Sequence, residues 1–269
     1  MQYAEHPVHR ALAPYVRVIW SFDWNAAPTA VAPERVMPDG VVELIFHYRT
    51  PFSMQLGDGP ATRQPTSFAL LQGRRFIEIT PAGPSGFVAV RFQPWGARHF
   101  LDLPLSELAD REVPAGEIWG RAASTLEARL AEASDASRGS TLVQDFLLER
   151  FEAASELAEH VTRAMWTTGG AIRPKELAGR LGITERHLER LCNRDLGMPP
   201  KQVARLARFL RACSAIRRSR HGLLTGVAQA CGYYDQSHFI GDFREFAGMT
   251  PGAFARDRSV SALDLEQGA

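Results

Sequence analysis

Residues 171–258 hold 16 arginines and lysines against 8 aspartates and glutamates, a net charge of +8. All of these cations but Lys175 and Lys201 are arginines. A guanidinium is a planar fork of donors that fits phosphate and the O6/N7 edge of guanine, so the composition suits a polyanionic partner. The rest of the chain carries 15 basic against 22 acidic residues, a net −7, so a basic segment is joined to an acidic one.

Other chemistry is poorly supplied. His6, His9, His47, His99, His160, His187, His221 and His238 form no His-x-His or His–Cys pair at ligand spacing, so neither a metal nor another cofactor is expected. Cys192, Cys213 and Cys231 form no C-x-x-C, and Cys192 and Cys213 fall at apolar-stripe positions that read as core. Neither Gly-x-Ser-x-Gly nor a phosphate-loop pattern occurs. Asp39 and Glu43 flank a turn and read as a turn carboxylate and a solvent-facing strand residue. No catalytic residue is expected, and the chain is read as something other than an enzyme.

The basic segment contains an internal repeat. Leu177-Ala178-Gly179-Arg180-Leu181-Gly182, Arg186-His187-Leu188 and Gly197-Met198-Pro199-Pro200 return as Val227-Ala228-Gln229-Ala230-Cys231-Gly232, Ser237-His238-Phe239 and Gly248-Met249-Thr250-Pro251. Each unit fits a helix-turn-helix. Ala178 or Ala228 allows close helix approach, and Gly182 or Gly232 ends the first helix in the left-handed conformation. Thr184 or Asp235 then caps the second helix. Between the units, Pro199-Pro200 starts a helix whose stripe is Val203, Leu206, Leu210 and Cys213. It is expected to run over 18 residues, 200–217. That is about 27 Å, close to the ~34 Å between successive major grooves on one face of B-DNA.

The elements ahead of this segment divide in two. Candidate strands are Val16–Phe22, Val41–Phe46, Ser67–Leu71, Arg75–Ile79 and Phe87–Phe92, punctuated by Pro and Gly, which predicts an antiparallel barrel or sandwich. Helices are expected at Ser124–Glu132, Thr141–Phe151 and Ser155–Trp166, with residues 134–140 a polar loop and Thr167-Thr168-Gly169-Gly170 ending the third. The fold class is therefore α+β. A β-rich sensing or dimerising domain with a helical tail covers 1–140, an all-α domain covers 155–258, and a flexible tail covers 259–269. Trp20, Trp24, His47, Phe92 and Trp95, with Phe22 and Phe46, could line an apolar effector pocket in the β-rich half. The apolar runs are too short to span a bilayer, and a cytoplasmic location is expected.

The second unit, Gly232-Tyr233-Tyr234-Asp235-Gln236-Ser237-His238-Phe239 with Phe243 and Gly248-Met249-Thr250-Pro251, resembles the signature of AraC/XylS-type transcription regulators. The resemblance covers about residues 155–257. It implies a DNA-binding domain of roughly seven helices, with the third and sixth in two adjacent major grooves of double-stranded DNA. By that resemblance Arg186, Glu189 and Arg190 are base readers of the first unit, and Gln236, Ser237 and His238 of the second. Thr184, Arg194 and Arg244 become phosphate contacts. Gly241 departs from the pattern, because the family commonly has a basic residue there and the repeat counterpart is Arg190. The first reader is therefore expected to supply most base specificity. Met37–Phe46 and Val88–Gly96 are similar to an uncharacterised domain that precedes this module in some regulators. Beyond DNA, the resemblance implies a small-molecule effector, a second copy of the chain and RNA polymerase as partners. The competing readings are a small-molecule-modifying enzyme with an accessory DNA-binding domain and an architectural DNA-binding protein.

Overall fold

A computed structural model describes residues 2–25, 32–133, 135–168, 172–218 and 224–257. The expected tail over 259–269 lies outside these residues, as do Gly169 and Gly170.

The β-rich half is a sandwich. Its strands are β1 (Gln2–His6), β2 (Val16–Trp24), β3 (Glu34–Val36), β4 (Val42–His47), β5 (Ser53–Leu56), β6 (Ala61–Arg63), β7 (Ser67–Leu71), β8 (Ile77–Thr80), β9 (Ser85–Phe92) and β10 (Val113–Pro114). One antiparallel sheet has the order β1-β2-β9-β4-β7-β10, and the other has the order β3-β8-β5-β6. Central β9 is buried along its whole length because both of its faces are covered. Val42, Leu44 and Phe46 of β4 join Val88, Val90 and Phe92 of β9 in a core with helical residues. The alternate residues Ile45, Phe87 and Ala89 pack with Trp20, Phe22 and Ile79 on the face toward the second sheet.

Three helices follow: α1 (Ala115–Trp119), α2 (Arg121–Ala131) and α3 (Ala136–Leu148). Residues 136–140, expected as loop, are the first turn and a half of α3. The Asp135 carboxylate accepts from Arg138 N at 2.8 Å and so starts the helix earlier. Gly139 lets α3 lie close on β9, since a Cβ there would stand 3.1 Å from Val88 Cγ2. Leu142, Val143, Phe146 and Leu147 of α3 pack into the β-rich half's core.

The second half is helical: α4 (Glu156–Thr167), α5 (Pro174–Arg180), α6 (Glu185–Asp195), α7 (Pro200–Arg218), α8 (Leu224–Ala230), α9 (Gln236–Ala247) and α10 (Pro251–Arg256). These helices share one aromatic and aliphatic core that includes Cys192, Cys213 and Cys231, all three unpaired thiols. Met37, from the β-rich half, is 1% exposed and sits in this same core. No helix among the described residues is long and apolar enough to cross a membrane.

Candidate nucleic-acid interface

Both repeat units close with the same turn. Ile183 N donates to Ala178 O and Gly182 N to Gly179 O, while Tyr233 N donates to Ala228 O and Gly232 N to Gln229 O. This is the doubled hydrogen-bond closure of a helix that ends on a left-handed glycine, and Gly182 and Gly232 have φ of +65° and +80°. The second helices are then capped alike. Thr184 Oγ1 accepts from His187 N at 3.1 Å, and the Asp235 carboxylate accepts from His238 N at 2.7 Å. Leu188 and Leu191 in α6, and Phe239, Phe243 and Phe246 in α9, bury one face of each helix.

The opposite faces are open. Arg186, Glu189, Arg190 and Arg194 are exposed on α6, and Gln236, Ser237 and Arg244 are exposed on α9. Among the described residues Arg186, Arg190 and Arg244 form no ion pair, so their donors are available to an external acceptor. Thr184 is exposed, with its oxygen engaged as the α6 cap. His238 differs from its neighbours. Its ring lies 5.4 Å from Tyr233, and Nε2 is 3.9 Å from Asp242 Oδ1, so it leans inward. Gly241 is exposed, and a Cβ there meets no atom within 4 Å. Asp242, its acidic neighbour, faces away from this surface, buried against Arg205 of α7. Helix α7, 19 residues long and so about 28 Å at ~1.5 Å per residue, lies between the two units.

The exits of both units rest on the β-rich half. Gly197 follows α6 with φ +69°, and Gly248 follows α9 with φ +66°. A Cβ on Gly197 would overlap Leu71 and the Leu105 carbonyl, and one on Gly248 would overlap the Phe76 ring. Between these contacts, a Cβ on Gly73 would stand 2.9 Å from Met198 Sδ, and Gln202 Nε2 donates to Gly73 O at 3.1 Å. Arg35 stacks 4.1 Å over Phe76 and donates to Ala247 O, a carbonyl at the negative end of α9. Arg98 Nε donates to Asp195 Oδ1 at 3.0 Å in a nearly buried pair at the end of α6. Burial raises the Asp195 pKa, and Arg98 counters that rise. Arg190 and Arg194 also line a cleft of about 710 Å³ whose other residues include Glu149 and Glu152. Sequence reasoning missed this interdomain seat. Nothing in the periodicity marks Leu71, Phe76 or Arg98 as contacts to residues more than 90 positions away.

The pocket expectation is redistributed. A cavity of about 180 Å³ lies between the two sheets, with Trp20 and Phe22 in its wall. His47 is buried beside it, held by Gln64 Oε1 at 3.2 Å. Phe46 and Phe92 face the other core, on the helix side of the sheet. Trp95 donates to Pro14 O and stacks under Arg163, and Trp24 is half-buried at the end of β2; neither lines the cavity. Glu43, expected to face solvent, instead faces the cavity and accepts from Trp20 Nε1 at 2.9 Å. Its parity in β4 places it there. Asp39 pairs with Arg91 and caps Val41 N. No group of three His, Cys, Asp or Glu able to hold a metal occurs among the described residues.

Residues 177–257 match a family described as a helix-turn-helix domain, and residues 4–114 match a domain of unknown function, DUF6597. The chain carries an AraC-type helix-turn-helix domain. Residues 177–257 are thus a DNA-binding module of the kind found in transcription regulators, and DUF6597 precedes it. Solved structures similar to this chain include several of ToxT from Vibrio cholerae. A P21 form matches at 9% identity and a TM-score of 0.47, covering 92% of this chain and 100% of that one. ToxT bound to an unsaturated fatty acid matches at 11% identity and 0.43, over 90% and 95%.

Proposed function

We propose that this protein is a sequence-specific, DNA-binding transcription regulator whose β-rich half senses a small molecule. The observation that carries this reading is the pair of matching turns, 50 residues apart at their glycines, each followed by a helix with an open polar face. Arg186, Glu189 and Arg190 read base edges from α6, and Gln236 and Ser237 read them from α9. His238 takes part only if its ring turns outward. Arg fits guanine, Gln fits adenine, and Glu accepts from cytosine N4. Arg194, Arg244 and the Thr184 hydroxyl hold phosphates and fix register. A regulator of this kind works in the compartment that holds the DNA.

The effector limb rests on adjacency. Val36, Gln72 and Ile77 line the cavity. Their sequence neighbours Met37, Gly73 and Phe76 touch the helical half. A ligand that shifts this wall therefore bears on both exit turns.

The test is selection of bound sequences from random DNA by the full chain. An enriched two-part motif is expected, bound more tightly than random DNA, with log affinity falling steeply against log salt. Equal affinity for selected and random DNA would overturn the reading.

A further inference from the structure

The cavity between the sheets has a defined chemical character. Trp20, Phe22, Phe52, Phe68 and Phe87 form much of its wall. Trp20, Phe22, Phe52 and Phe87 are fixed by mutual ring contacts with centroids 5.0–5.8 Å apart, so the sleeve is preformed. The charged side chains on the wall are Arg91, Glu34 and Glu43. Arg91 is engaged by Asp39 and lies opposite Glu43, so two carboxylates share one guanidinium, while Glu34 is exposed on β3. Arg17 lies beyond this group, where it feels both Arg91 and Asp39. Glu43 stands directly opposite Arg91 on the neighbouring strand, at the edge of the aromatic sleeve.

From this arrangement we infer that the cavity binds a small lipophilic amine or quaternary ammonium ion, its cationic head at Glu43 and its apolar body among the rings. A cation is attracted to the faces of Trp and Phe, and a carboxylate in a dry site adds a charge-assisted contact. Burial raises the Glu43 pKa, and a cationic head compensates the charge that burial penalises. An anionic ligand would approach Glu43 and Glu34 with Arg91 already held by Asp39. A polyhydroxylated ligand would lose most of its hydrogen bonds against the rings. The volume of about 180 Å³ sets the size; a cavity of ~150 Å³ accommodates benzene, so the ligand is a single-ring molecule or its aliphatic equivalent.

This inference rests on the effector reading above. Its test uses the full chain and three probes with the same three-carbon side chain in calorimetric titration near neutral pH: 3-phenylpropylamine, 3-phenylpropionate and 3-phenylpropanol. The amine is expected to bind about tenfold more tightly than either of the others, with benzyltrimethylammonium competing for the same site. Glu43→Gln is expected to bring the amine down to the level of the alcohol. The wild-type ranking stands without the variant, should Glu43→Gln fold poorly. Tighter binding of the acid, failure of all three probes to bind, or an unchanged amine preference in a folded Glu43→Gln protein would each overturn the proposal. Binding to the selected DNA is measured on the same preparation without probe. Its loss would sink the regulator reading alone, and its retention beside a failed ranking would sink the ligand assignment alone.

Discussion

Asp242 and Arg205 tie α9 to α7: Nη2 lies 2.7 Å from Oδ1, and the carboxylate is 1% exposed. The same guanidinium reaches Glu245 at 2.6 Å, so two carboxylates one turn apart on α9 share one cation from α7. Removing Arg205 leaves a buried, uncompensated charge. Arg205→Ala should lower unfolding stability by ~2–4 kcal/mol, below the range for a wholly buried pair because Arg205 is partly exposed. Urea denaturation measures it, and a loss under ~0.5 kcal/mol would mean the pair behaves like a surface contact.

Asp242 points inward, so it would not repel a phosphate brought to the neighbouring position, and Gly241 opens onto free space. Gly241→Arg should tighten binding to the selected DNA and steepen its salt dependence by about one phosphate contact. The substitution also improves helix propensity by up to ~1 kcal/mol. Unchanged affinity in a stably folded variant would remove position 241 from the interface.

Arg190→Ala should cost ~1–3 kcal/mol on preferred DNA and relax preference at one base position. An equal loss on preferred and random DNA would reassign Arg190 to a phosphate, or to the acidic residues across the cleft it lines.

Arg98→Ala should destabilise the full chain by several kcal/mol, since Asp195 then lies buried without its partner. In a fragment of residues 155–258, where Arg98 is absent, Asp195→Asn should be nearly neutral. Equal effects of Asp195→Asn in both contexts would show that the ion pair does not join the halves.

His47 packs against Phe52, Phe68 and Phe87, and burial holds its pKa down at about 4. Below pH ~6.5 the unfolded chain takes up a proton that the folded chain refuses. Stability should therefore be full above pH ~6.5 and fall by up to ~3 kcal/mol as pH drops toward ~4. His47→Gln does not titrate and should flatten that stretch of the curve; an unchanged slope would assign the acid sensitivity to other groups.

Local chemistry made the helical half legible. A left-handed glycine and a capping oxygen are decisions taken within a few residues, so Gly182, Gly232, Thr184 and Asp235 could be read directly. Ser67–Leu71 was equally plain, being an apolar run between turn residues. The three-residue strands β3 and β6 were not, because they are stabilised by pairing within the second sheet rather than by their own composition. Glu43 carried a readable signal, a charge amid Val41-Val42 and Leu44-Ile45-Phe46, but only the second sheet decides that its side of β4 is enclosed. The parity that turns Phe46 and Phe92 toward the helices was also present in the strands. The contact of Met37 with the helical core leaves no trace in any local pattern.

Residues 71–76 receive both exit turns, and this fixes the relative rotation as well as the distance of α6 and α9. Inserting one base pair between half-sites moves them apart by ~3.4 Å and rotates one about the duplex axis by roughly a tenth of a turn. To follow that rotation, Gly197 or Gly248 would have to lift from Leu71 or Phe76. The whole chain is therefore a stricter gauge of half-site phasing than its helical half alone, and a molecule lodged behind residues 71–76 would act by changing which phasing the protein tolerates.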